Sequence, residues 1–145
     1  MAGASKTETR GERTTMTGQA SGTFGVKLDP QAPDASGVGR LIITKTFHGD
    51  LDGTSRGHML AFSTGTPGSA GYVAMEQVTA TLGGRSGTFV LQHTGTMNRG
   101  GSSLSVTVVP DSGTGQLSGL SGTLAITIVD KQHRYRFEYT IADGN

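Results

Sequence analysis

Residues 71–96 read GYVAMEQVTATLGGRSGTFVLQHTGT. Gly71 to Leu82 and Ser86 to Thr96 each alternate apolar and polar side chains, the period of a half-buried strand. Gly83-Gly84 between them is a hairpin signal, because tight turns between antiparallel strands need backbone at positive φ. A loop of two or four residues there pairs positions whose numbers sum to an odd value. Glu76 then shares a face with Tyr72, Ala74 and Val78, and across the ladder with Phe89, Leu91 and His93. That face is mostly apolar and is expected to point inward. A bulged register would instead put Glu76 and His93 on opposite faces.

The same alternation extends in both directions. Upstream, Phe24, Val26 and Leu28 alternate with Thr23, Gly25 and Lys27, until Asp29 to Asp34 breaks the strand with two prolines. Gly39 to Phe47 and Thr54 to Ser63 read as the next two strands, separated by the turn cluster His48 to Gly53. Downstream, Asn98-Arg99-Gly100-Gly101 leads into Ser103 to Val109. A glycine-rich connection from Asp111 to Gly122 holds a short turn around Leu117 and Leu120. Thr123 to Val129 and Arg134 to Ile141 form a last hairpin around Lys131-Gln132. Eight strands without a helical segment predict an all-β fold. The even count and short turns favour an eight-stranded antiparallel β-barrel, which leaves no open edge. Such a barrel is just wide enough to be filled by side chains or to hold one small ligand.

Residues 1–19 carry no apolar pattern and read as a flexible N-terminal tail, with Met16 a candidate natural start. Residues 20–145 are expected to form a single domain. The 145-residue chain has 24 glycines, 33% hydrophobic and 16% charged residues, which excludes a coiled coil or helical bundle. A net charge of +1 predicts no bulk attraction to nucleic acid, and no apolar run is long enough to span a bilayer as a helix. With no cysteine there is no disulfide, thiolate metal site or cysteine nucleophile. No signal-like segment opens the chain, so a cytoplasmic location is expected.

The strongest chemical pairing is Glu76 with His93. Burial is expected to push the carboxyl's pKa upward and to let a nearby imidazole exchange a proton with it, as general acid–base work requires. The same geometry also serves a structural ion pair or a hydrogen-bonded barrel plug. Asp50 and Asp52 beside His48 read as turn aspartates. The four histidines lack zinc-site spacing, and no metal or cofactor is expected. Asp111-Ser112-Gly113-Thr114 matches the D-[ST]-G-[ST] signature of aspartic peptidases, but Pro110 and the following glycines suit a tight turn equally well. Gly113-Thr114-Gly115 lacks the following helix and the lysine of a phosphate loop. Tyr135, Phe137 and Tyr139 alternate with Arg134, Arg136 and Glu138, giving an inner aromatic face and an outer charged one.

Several segments together resemble the bacterial DUF3224 family, also called SO1590-like. They are residues 22–28 (GTFGVKL), 47–55 (FHGDLDGTS), 68–76 (GSAGYVAME), 89–93 (FVLQH) and 108–115 (VVPDSGTG), and the resemblance spans roughly residues 16–141. It implies an eight-stranded barrel similar to that of allene oxide cyclase, assembled as a homodimer or homotrimer, without implying an activity. Barrels of this kind include isomerases, cyclases and ligand binders, an analogy of fold alone. The expectation is a small-molecule pocket protein: a cofactor-independent isomerase or cyclase acting on an apolar substrate inside the barrel. Glu76 would be its base or acid, His93 and Tyr72 its polar partners, and Phe89, Leu91, Tyr135, Phe137 and Tyr139 its substrate-binding wall. A non-catalytic ligand-binding or structural barrel is the alternative, and an aspartic-type hydrolase built on Asp111-Ser112-Gly113 the third reading.

Overall fold

The computed structural model describes residues 3–10 and 13–142. They form one antiparallel sheet of nine strands: β1 (Gly3–Arg10), β2 (Arg13–Pro30), β3 (Gly39–Gly49), β4 (Leu51–Ser63), β5 (Ala70–Leu82), β6 (Arg85–Asn98), β7 (Gly101–Val108), β8 (Leu120–Val129) and β9 (Gln132–Ala142). Sequential strands are neighbours, and β2 also pairs with β9, so β2 to β9 close an eight-stranded barrel. Among the described residues the sole helical piece is a 3-10 turn, Gly115–Leu117.

The central hairpin has the expected parity. Leu82 pairs with Arg85, and Gly83 and Gly84 sit at φ 56° and 82°, as a two-residue turn of the primed kind requires. Glu76 therefore pairs with Leu91 and Ala74 with His93. Ala74, Glu76, Val78, Ala80 and Leu82 are all buried and the residues between them exposed. The last hairpin turns one residue earlier than expected, through Asp130-Lys131, since Val129 pairs with Gln132.

The barrel interior divides along its axis. At one end Leu51, Leu82, Phe89, Phe137 and Leu117 are almost completely enclosed, and the 3-10 turn inserts Leu117 as a plug. At the other end, Val26, Leu28, Leu104 and Ile128 remain exposed although they point inward. The wall is weakest there, because β7 and β8 are in register only at Thr107 and Thr123.

The N-terminal boundary differs from the tail expected over residues 1–19. Thr15 to Gln19 pair with Ala142 to Glu138 of β9 and belong to the barrel wall. The 18-residue β2 outruns β3, whose ladder with it ends at Gly22 and Gly49. β1 pairs with the residues of β2 beyond that point, from Gly3–Gln19 to Arg10–Arg13. Backbone hydrogen bonds alone satisfy such an edge, so no apolar pattern announces β1. Residues 1, 2, 11 and 12 of the expected tail, and 143–145 of the expected domain, lie outside the described residues.

Candidate functional site

Glu76 stands midway along β5, buried on its inward face. His93 is its diagonal neighbour across the β5–β6 ladder, and His93 Nε2 lies 2.9 Å from Glu76 Oε2. The same oxygen lies 2.8 Å from Lys45 Nζ. Lys45 comes from β3, with β4 between it and β5. Its side chain can cross because the intervening inward positions of β4 are small: Ser55 pairs with Lys45, and Gly57 with Glu76. A Cβ on Gly57 would stand 2.8 Å from that of Glu76, so only glycine permits this approach. Lys45 was not among the expected site residues. Its signal is its place between Ile43 and Phe47, a lysine on an apolar parity.

All three side chains are buried, Glu76 at 1%, His93 at 4% and Lys45 at 9% exposure. The expected upward shift of Glu76 is reversed. Burial does push its carboxyl up, but the His93 hydrogen bond and the Lys45 ammonium outweigh that and hold it below the ordinary carboxylate value. An ionised carboxylate only accepts, so His93 Nε2 carries the shared hydrogen. Glu76 Oε1 and Ser55 Oγ, both buried, have no partner among the described residues. Lys45 Nζ also sits 4.9 Å from the centre of the Phe24 ring, a cation–π contact. Tyr72 is half-buried, one diagonal from His93, and its phenol is pushed up by burial and by the Glu76 charge.

Above this group lies a chamber of about 380 Å³ to which each of β2 to β9 contributes. Its wall is largely apolar, with Phe24, Leu28, Ile43, Met59, Leu104 and Ile126 prominent, and Lys45, His93 and Tyr72 also line it. A second hollow of about 610 Å³ follows the outside of β3 to β6, past Ile42, His58, Leu60, Val73 and Met75.

The structure therefore brings together Glu76, His93 and Tyr72, but not the five residues expected as the substrate wall. Phe89, Leu91, Phe137 and Tyr139 pack the closed half, where Phe137 stacks between Phe89 and Tyr139. The Tyr135 hydroxyl accepts from Leu51 N and lies within hydrogen-bonding reach of the carbonyls of His48 and Leu51, which pins the β3–β4 turn. These five residues share the inward face with Glu76 but lie outside the chamber wall.

The Asp111 segment is occupied with structure. Asp111 is exposed at φ 62°. Beyond it, Ser112 Oγ accepts from Val90 N, Thr114 Oγ1 from Thr88 N, and Gln116 Oε1 from Ser86 N. Three side-chain oxygens at period two stand in for a strand along the part of β6 that β7 does not reach. Asp50 Oδ2 accepts from Ser21 N, tying the β3–β4 turn to β2. Among the described residues no group of three His, Asp or Glu side chains could hold a metal ion.

The protein of unknown function family DUF3224 matches residues 20–139. The chain belongs to the DUF3224 family. A crystal structure of a DUF3224 protein of unknown function from Shewanella oneidensis MR-1 is 48% identical, superposes with a TM-score of 0.80, and covers 85% of this chain and 96% of its own. No curated protein matches the chain. The part of this DUF3224 barrel that matches the family includes Lys45, Tyr72, Glu76, His93 and every residue of the chamber wall.

Proposed function

We propose that this DUF3224 barrel is a small-molecule pocket protein that admits a largely apolar molecule to the open half and acts on it as a cofactor-independent isomerase or cyclase. The observation that carries this reading is the chamber: eight strands wall it, and a buried ion pair with its histidine forms the floor. Glu76, held ionised, is a positioning residue that fixes His93 through Nε2. His93 Nδ1 is then the proton acceptor, and the Tyr72 phenol, with its raised pKa, the donor. Shape and two placed polar groups suffice to orient an intramolecular rearrangement.

The test uses Nile red as a neutral apolar probe. Saturable binding that is lost in Ile126→Trp, which fills the chamber, is expected. Among apolar compounds that displace the dye, mass spectrometry should find a rearranged product. Tyr72→Phe and His93→Gln should each slow its formation about 10²-fold or more while changing dye affinity little. Binding without any product would assign the barrel to ligand storage or structure instead, and no saturable binding would end the pocket reading. We also propose a cytoplasmic homodimer or homotrimer: Leu60, Val73 and Met75, each about half exposed on the outer wall, are the apolar surface an assembly would cover.

A further inference from the structure

We infer that the ligand of this chamber is a neutral molecule with a hydrocarbon body that presents one carbonyl oxygen to the Lys45 ammonium. The inference rests on the pocket reading above and narrows it to a substrate class. An ammonium has three N–H donors and no acceptor. Among the described residues, Lys45 Nζ has one oxygen partner, Glu76 Oε2, and otherwise faces the rings of Phe24 and Phe47 at 4.9 and 6.0 Å from their centres. Only the Phe24 ring is close enough to engage the cation, the Phe47 centre standing at the outer limit of such a contact, and one ring face takes the place of one hydrogen-bond acceptor at most. At least one donor of a side chain more than nine-tenths buried is left for the chamber that Lys45 lines. Buried donors are costly to leave without an acceptor, so the site selects a ligand that supplies one.

The charges of the floor decide which acceptor. The Lys45 and Glu76 charges cancel, and the His93 Nε2–H is committed to the same Glu76 oxygen. A ligand carboxylate would bring a second anion beside Glu76 with one cation to share between them, at a desolvation cost that the apolar wall does not lessen. A ligand ammonium would face Lys45. A carbonyl oxygen adds no charge and has two lone pairs, one for Lys45 and one for a second donor, and Tyr72 is a residue of the same chamber. Leu28, Ile43, Leu104 and Ile126 make most of the remaining wall around that oxygen suited to a hydrocarbon body.

Three eight-carbon probes separate the possibilities: octane, 2-octanone and octanoate, each measured by displacement of Nile red at pH 8. For the unaltered protein, 2-octanone should bind about tenfold or more tighter than octane, the worth of one charge-assisted hydrogen bond, and octanoate should bind more weakly than the ketone. Because Lys45→Met alone strands the Glu76 charge and endangers the fold, the decisive variant is the pair Lys45→Met with Glu76→Gln. It should bind ketone and octane with nearly equal affinity. Equal affinity for ketone and alkane, tightest binding of octanoate, or an undiminished ketone preference in the double variant would each overturn this inference while leaving the pocket standing. Failure of all three probes and of the dye would overturn the pocket itself.

Discussion

Lys45, Glu76 and His93 join three strands through one carboxylate oxygen buried in the barrel. The Glu76–His93 diagonal follows from a period of two and the parity of one turn, both local. Lys45 meets Glu76 only after β3, β4 and β5 are in register, so its partner is set by three strands rather than one hairpin. The direction of the Glu76 shift has the same origin: burial follows from one strand, the lysine's charge from three. A pH dependence follows. The folded carboxyl titrates below its ordinary value of 4.5, so its stabilising contribution is complete above about pH 4.5 and is lost as pH falls through the lower folded value. Urea unfolding at pH 7 and pH 3.5 should show this loss, and Glu76→Gln should remove that part of the profile. At pH 7 the single substitution should cost about 3–5 kcal/mol because it leaves the Lys45 charge buried without a counterion.

At the scale of elements, the connection from β7 to β8 explains a motif that resembled catalysis. Asp111-Ser112-Gly113-Thr114 suits a turn at φ 62°, followed by side chains that serve as a ladder. Serine, threonine and glutamine at alternate positions were visible in the sequence. That they face the free backbone of β6 was not, because it depends on β7 pairing with β6 only from Leu91 onward. Ser112→Ala leaves the part-buried Val90 N–H without its acceptor and should cost about 1–2 kcal/mol. Asp111→Asn should stay within about 0.5 kcal/mol, since asparagine accepts a left-handed backbone and the side chain is exposed. Urea midpoints compare the two directly. A larger cost for Asp111 would make its carboxylate, rather than the serine ladder, the reason for the motif.

For the whole molecule, alternation separates inside from outside but carries no information on height, which the stagger of eight strands fixes only on closure. Phe137 and Ile128 both alternate inward, yet Phe137 is enclosed and Ile128 is 65% exposed. The barrel should therefore be energetically lopsided. Phe137→Ala opens a cavity in packed surroundings and should cost about 3–5 kcal/mol, whereas Ile128→Ala should cost well under about 1 kcal/mol. Hydrogen exchange should follow the same gradient. The β5–β6 ladder runs unbroken from Ala70–Met97 to Leu82–Arg85, so its amides should exchange only with global unfolding. Amides of β7 and β8 that point across their seam have a ladder partner only near Thr107 and Thr123, and should exchange fastest within the barrel wall. That seam flanks Leu104, Ile126 and Ile128 of the chamber. A ligand seated against those side chains should slow exchange there and leave the closed half unchanged. Slowing spread evenly over both halves would mean that the ligand acts on global stability rather than at the chamber.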